Sequence, residues 1–217
     1  MLLRHVSLVV LGAWNRAILM PDWIAAHATE TEEKIQVHFP LGAAQVPVYQ
    51  YEHIAFKVEM NRLTVFPLRW EDECLKKAEE ATARICAKLG YTPTYGVGFN
   101  FNFVDSNPDS EKLKAFTVED NTVTGFSGYE NDQTQITKKL LFDESSISIS
   151  QTLVPTDGNV EINLNFETRF NNAADIGEFL NLRQFQNAKT ETLEFFHSQF
   201  NVNEAELEIE ISPLGDV

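Results

Sequence analysis

The sequence has little of what marks a secreted or membrane-embedded protein. It contains only two cysteines, Cys74 and Cys86, and no Asn-x-Ser/Thr glycosylation sequon. Its apolar runs all fall short of the ~20 residues that a transmembrane helix requires. Both cysteines lie within one predicted helix, about 18 Å apart, which is too far for a disulfide bond. We therefore expect free thiols and a cytoplasmic protein without membrane contact.

The N-terminus has only some features of a secretory signal. Arg4 precedes an apolar run from Val6 to Leu11, but the run is shorter than a typical signal core. No cleavage site with small residues follows, and the chain continues into Trp14, Asn15 and Arg16. We predict instead that this segment forms a buried first strand.

Basic residues are scarce, and their shortage is uneven along the chain. The chain has 32 acidic and 17 basic residues, a net charge of −15. Residues 1–90 hold ten basic and eleven acidic side chains, whereas residues 91–217 hold seven and twenty-one. Phosphate binding needs a basic surface field, so we expect no direct contact with nucleic acid. The acidity of the second half points instead to a basic protein partner.

Established catalytic and metal-binding motifs are absent from the sequence. The five histidines are isolated, and no H-E-x-x-H, C-x-x-C or P-loop pattern occurs. Gly96-Val-Gly98 lacks the third glycine of a dinucleotide-binding loop. We therefore expect no catalytic residue, no metal and no cofactor, and the chain is more typical of a binding protein than of an enzyme. A metal site that the fold brings together from His38 and His53 is the alternative that a motif search does not test.

Alternating apolar and polar residues predict several half-buried strands. The segment 49–68 should form a hairpin that turns near Met60, Asn61 and Arg62. The other predicted strands cover residues 2–11, 34–41 and 96–104, with more between 133 and 170.

One predicted strand carries small polar side chains on a single face. Gly98, Asn100 and Asn102 alternate with Val97, Phe99, Phe101 and Phe103. Small polar residues on a strand allow another backbone or a helix to approach closely. A ligand-lined groove is the alternative, and these three residues are its candidates.

Helical spacing of apolar residues predicts two long helices. The first runs from Glu71 to Leu89 and is stopped by Gly90. The second runs from about residue 173 to residue 200, and an interruption near Asn181 is left open. Short helical stretches are expected at 21–28 and 109–115.

The predicted elements occur in two similar series. Each series has a strand, a short helix, several further strands and a long helix. This order favours an α+β fold with antiparallel sheets, possibly arranged as a pseudo-duplicated β-β-β-β-α unit. We expect a single domain over residues 1–217, possibly with similar halves at 1–90 and 91–217. The many antiparallel hairpins argue against a doubly wound nucleotide-binding fold.

The C-terminal region alternates acidic and apolar residues. As a strand it would present one acidic face and one apolar face. Charge of this kind protects an edge strand from unwanted pairing, but it also suits docking of a basic partner. The acidic candidates for partner binding are Glu204, Glu206, Glu208 and Glu210.

The segment Thr92-Pro93-Thr-Tyr-Gly-Val-Gly98-Phe99-Asn100-Phe101-Asn-Phe103 resembles a strand of certain bacterial hypothetical proteins of similar length. Those proteins carry a T-P-x-x-x-x-G-x-N-F-x-F motif after a first long helix. They also tend to have W-N and P-x-W pairs near the start, here Trp14-Asn15 and Pro21-Asp-Trp23. The resemblance implies a bacterial or phage-associated cytoplasmic protein and carries over no functional residue, because the group has no established activity.

These observations favour a non-enzymatic binding or assembly protein whose acidic second half docks a basic protein partner. An acidic inhibitor, similar to an antitoxin or a DNA mimic, is a narrower version of the same hypothesis. The alternative class is a small-ligand-binding protein or an enzyme with a site between sheet and helices. The sequence does not indicate an oligomeric state.

Overall fold

The first strand lies at the centre of a large sheet, as its apolar character predicts. A computed structural model of the chain describes residues 1–29, 35–39, 46–108, 113, 134–154 and 158–212. Strand β1 (Leu2–Gly12) is almost continuously apolar because it has neighbours on both sides and a helical layer against one face. The other strands are β2 (Gln36–His38), β3 (Val48–Gln50), β4 (Ile54–Val58), β5 (Arg62–Pro67), β6 (Thr94–Asp105), β7 (Thr134–Phe142), β8 (Ser145–Val154), β9 (Asn159–Arg169) and β10 (Glu208–Ile209).

The strand order relates the two halves of the chain. Across the sheet the order is β2-β3-β4-β5-β1-β6-β9-β8-β7. In each half the first strand, β1 or β6, lies at the centre, and the strand that precedes the long helix or helices of that half, β5 or β9, lies beside it. All of these neighbours are antiparallel, and only the short β10 runs parallel to β1. The predicted α+β class with an antiparallel sheet is therefore confirmed.

In the described ranges, four helices with both ends described supply the second layer. Their bounds are α1 (Pro21–Ile24), which continues into one π-helical turn (Ala25–Thr29), then α2 (Asp72–Lys88), α3 (Ala173–Leu180) and α4 (Gln184–Phe200). The predicted second long helix is thus two helices, and the interruption near Asn181 that the sequence left open is present. All four helices bury apolar residues in one core against the same face of the sheet.

Aromatic side chains on β6 form the middle of that core. Phe99 stacks on Phe185 of α4 with ring centroids 5.0 Å apart. Phe103 contacts Phe196 of the same helix at 4.2 Å. Aromatic pairs of this kind add about 1 kcal/mol each to the free energy of burial. These contacts hold α4 over the centre of the sheet.

The N-terminus of α4 is capped by a residue from another helix. Arg183 precedes the helix in a left-handed conformation, with φ of 58°, and its side chain makes no capping hydrogen bond. Instead, the backbone N–H of Phe185 donates to Glu79 Oε1 of α2 at 2.7 Å. The Glu79 side chain is buried, so desolvation raises its pKa to about 7. A single carboxyl group thus joins α2 to α4.

The structure differs from the sequence predictions in the first half. The segment 49–68 contains three strands, β3, β4 and β5, because residues 51–53 make an additional turn. Strand β2 covers only Gln36–His38 of the predicted strand at 34–41, part of which lies outside the described residues. The predicted helical stretch at 109–115 also lies outside them, except that Leu113 is helical.

Both cysteines are buried and unpaired, as the helical spacing predicted. Burial raises the pKa of the Cys86 thiol to about 12. No helix among the described residues is both long enough and apolar enough to cross a bilayer.

The buried Glu79 should make stability depend on pH. Its pKa rises from an ordinary 4.5 to about 7 on folding. The folded state therefore holds a proton that the unfolded state has lost in this range, and the free energy of unfolding should fall as the pH rises from about 4.5 to about 7. Glu79→Gln keeps an acceptor for the Phe185 N–H but cannot ionise. Between pH 4.5 and pH 8, the free energy of unfolding of the variant should therefore rise relative to that of the wild type by up to about 3 kcal/mol.

Urea unfolding of both proteins across this pH range measures the difference. The matched control is Glu80→Gln, the neighbouring carboxylate on the exposed side of α2, which pairs with Lys76 at 3.6 Å. The control should keep the wild-type pH dependence. An equal pH dependence in Glu79→Gln and the wild type would contradict the assignment.

Candidate functional site

A cleft lies between the outer strands of the second half and the last two helices. It is formed by one end of β7, β8 and β9 on one side, and by α3 and α4 on the other. Its volume is about 350 Å³, within the range of ~300–1,000 Å³ that is usual for binding pockets. Its apolar lining includes Phe99, Leu140, Phe142, Ile147, Phe166 and Phe179.

The rim of this cleft contains an exposed apolar patch. Leu140, Leu141 and Phe142, at the end of β7, are 57%, 75% and 79% exposed. Successive strand residues point to opposite faces, so the end of β7 is exposed on both faces of the sheet. Contiguous exposed apolar residues of this kind commonly mark an interaction site.

Two acidic residues, Glu191 on α4 and Glu167 on β9, are the charged residues of the described lining. Glu167 is paired with Gly98 in the sheet, so its side chain points to the face away from the helices and only Glu191 lies on the helix side of the cleft. The α4 side of the cleft is otherwise formed by Gln184, Asn187 and Ala188. The described lining therefore combines an apolar surface with one carboxylate, Glu191, on its helix side, and a ligand with an apolar and a basic group would complement it.

The sequence-predicted groove residues lie elsewhere, on the face of β6 that points away from the helices. Asn102 Nδ2 donates to Asn163 Oδ1 of β9 at 2.6 Å, and Asn100 Nδ2 lies 3.4 Å from Ser7 Oγ of β1. A Cβ atom added at Gly98 would lie 3.1 Å from Asn165 Oδ1. In the described residues the small polar side chains therefore accommodate neighbouring strands, and a ligand-lined groove stays a prediction.

These asparagines belong to polar rows that cross five strands. One row places Asn102 beside His5 and Asn163, and the next places Asn100 beside Ser7 and Asn165. The rows continue over β8 and β7 through Ser150, Thr137, Ser148 and Lys139. The sequence could show the alternation within each strand, but the rows depend on the pairing register.

The four acidic candidates near the C-terminus do not share one strand face. Glu204–Glu206 form a 3-10 turn, and the strand β10 contains only Glu208 and Ile209. Glu204 Oε1 pairs with Lys189 Nζ at 2.9 Å, and Glu206 Oε2 accepts the backbone N–H of Asn203 at 2.8 Å. The expected continuous acidic strand is therefore corrected, because two of its carboxylates bind within the chain.

The remaining pair, Glu208 and Glu210, is exposed but distant from the cleft. Glu208 pairs with Leu2 of β1, whereas the cleft end of β7 aligns across the sheet with Val9. Along the strand direction, the seven residues from Leu2 to Val9 span about 23 Å. Across the sheet, β10 and β7 are separated by five strand spacings of ~4.8 Å each. The tail carboxylates and the cleft therefore form two separate acidic surfaces.

A second cavity, of about 300 Å³, lies beside α2 in the first half. Its lining mixes acidic groups such as Glu52 and Glu73 with basic groups such as Lys77 and Arg84. His53 also lines it, accepting from Arg69 Nη2 at 3.0 Å, with the buried Cys74 Sγ at 3.8 Å from its Nδ1.

His38, the other histidine considered for a spatial site, lies instead beside Gln50, with His38 Nε2 3.0 Å from Gln50 Oε1. Within the described part of the chain, no three His, Cys, Asp or Glu side chains form a group that could hold a metal ion.

The Lys189 contacts predict which tail carboxylate stabilises the fold. Lys189 is largely buried on α4, and its ammonium also pairs with Asp72 at 2.8 Å and lies over the Trp70 ring. Glu204→Ala should lower the free energy of unfolding by about 1 kcal/mol, because a buried ammonium loses one of its two carboxylates. Glu210→Ala, at an exposed position, should leave it within about 0.5 kcal/mol. Equal urea midpoints for the two variants would contradict this assignment.

No protein-family model, no curated protein and no solved structure matches this chain. The resemblance of the segment from Thr92 to Phe103 to bacterial hypothetical proteins therefore stays a prediction. The function proposed for the chain rests on the geometry of its own residues.

Proposed function

We propose that this protein is a non-enzymatic binding protein whose acidic second half docks a basic protein partner. The observation that carries the proposal is the cleft beside α4, where an exposed apolar patch of Leu140, Leu141 and Phe142 adjoins Glu191 on α4, while Glu167 lies on the sheet face that Leu141 shares. The two unpaired thiols of the chain are typical of a protein in a reducing compartment. As part of this proposal, we therefore place the protein in the bacterial cytoplasm.

The two features of the cleft have different roles in binding. Burial of the apolar patch supplies affinity, at about 25 cal/mol for each Å² removed from water. The carboxylates and the net charge of −15 attract a basic partner over a longer range and raise the association rate. Salt screens this attraction, so the association should weaken at high ionic strength.

The two tail carboxylates that remain exposed are a secondary candidate surface. Glu208 and Glu210 are exposed on and beside β10, and their backbone N–H groups donate to Met1 O and Leu3 O. They could attract a basic surface without any change in the backbone. A partner that contacts both them and the cleft would have to reach across the sheet.

The alternative function is small-ligand binding in the second cavity. Its specific support is the mixed lining, because Lys77 and Arg84 could bind an anionic group while Glu52 and Glu73 bind a cationic one. A zwitterionic small molecule has that chemistry. Thermal-shift measurements with free amino acids would detect it as a rise in melting temperature that Arg84→Gln abolishes.

Affinity capture tests the docking proposal. The tagged full chain is used as bait in a lysate of its source organism, at about 50 mM and about 500 mM salt. We expect a basic protein to be retained mainly at low salt. The variant Glu167→Gln/Glu191→Gln should reduce its recovery severalfold, because the α4 side of the cleft and the sheet face of Leu141 each lose a carboxylate.

Glu208→Gln/Glu210→Gln is the matched control for charge, since it removes the same number of carboxylates from the other acidic surface. Loss of the partner with this control alone would move the docking site to the tail. Capture that ignores salt, or a low-salt eluate without any specific partner, would overturn the proposal.

A further inference from the structure

We draw no further inference here: the strongest candidate, the exposed apolar end of β7 beside the cleft, belongs to the site already described, and nothing in the described part of the chain shows what covers it.

Discussion

The packing of α4 on β6 is the contact on which the rest of the second half depends. Phe185 and Phe196 of the helix meet Phe99 and Phe103 of the central strand, which fixes the helix over the middle of the sheet. The sheet continues past α4 through β9, β8 and β7, and among the described helices α3 and α4 are the ones that line the cleft at its edge. In the described part of the chain, the position of α4 therefore sets where the cleft lies.

A second constraint acts on the C-terminal tail. The ammonium group of Lys189 is largely buried and needs negative partners, because an unpaired buried charge costs several kcal/mol. It finds Asp72 from α2 and Glu204 from the tail. The pairing leads the chain towards β1, where Glu208 and Ile209 add a short parallel strand. An acidic pattern that resembles one interaction surface therefore also contains a structural ion pair.

Local sequence patterns predicted the secondary-structure elements well, but they did not predict which residues distant in sequence contact one another. Alternation identified β6 and β9, and helical spacing identified α2, because these signals lie within a few neighbouring residues. The polar rows through Asn100 and Asn102, the ion pair of Glu204 and the cleft all join residues that are far apart in sequence. The candidate cleft was missed for this reason. One sequence signal was available, the run Leu140-Leu141-Phe142 beside Lys138-Lys139, because three apolar residues in succession do not fit a half-buried strand.

An exposed apolar end on an edge strand ordinarily favours self-association. Here the charges oppose it. A net charge of −15 repels a second copy at long range, and Lys138 and Lys139 would face their own copies in an antiparallel pair of edges centred on them. A basic partner meets neither obstacle, because the net negative charge attracts it and it does not need to pair with the strand backbone. The same distribution of charge therefore disfavours contact between identical chains and favours contact with a basic partner, which is the condition under which a protein can keep such a patch exposed.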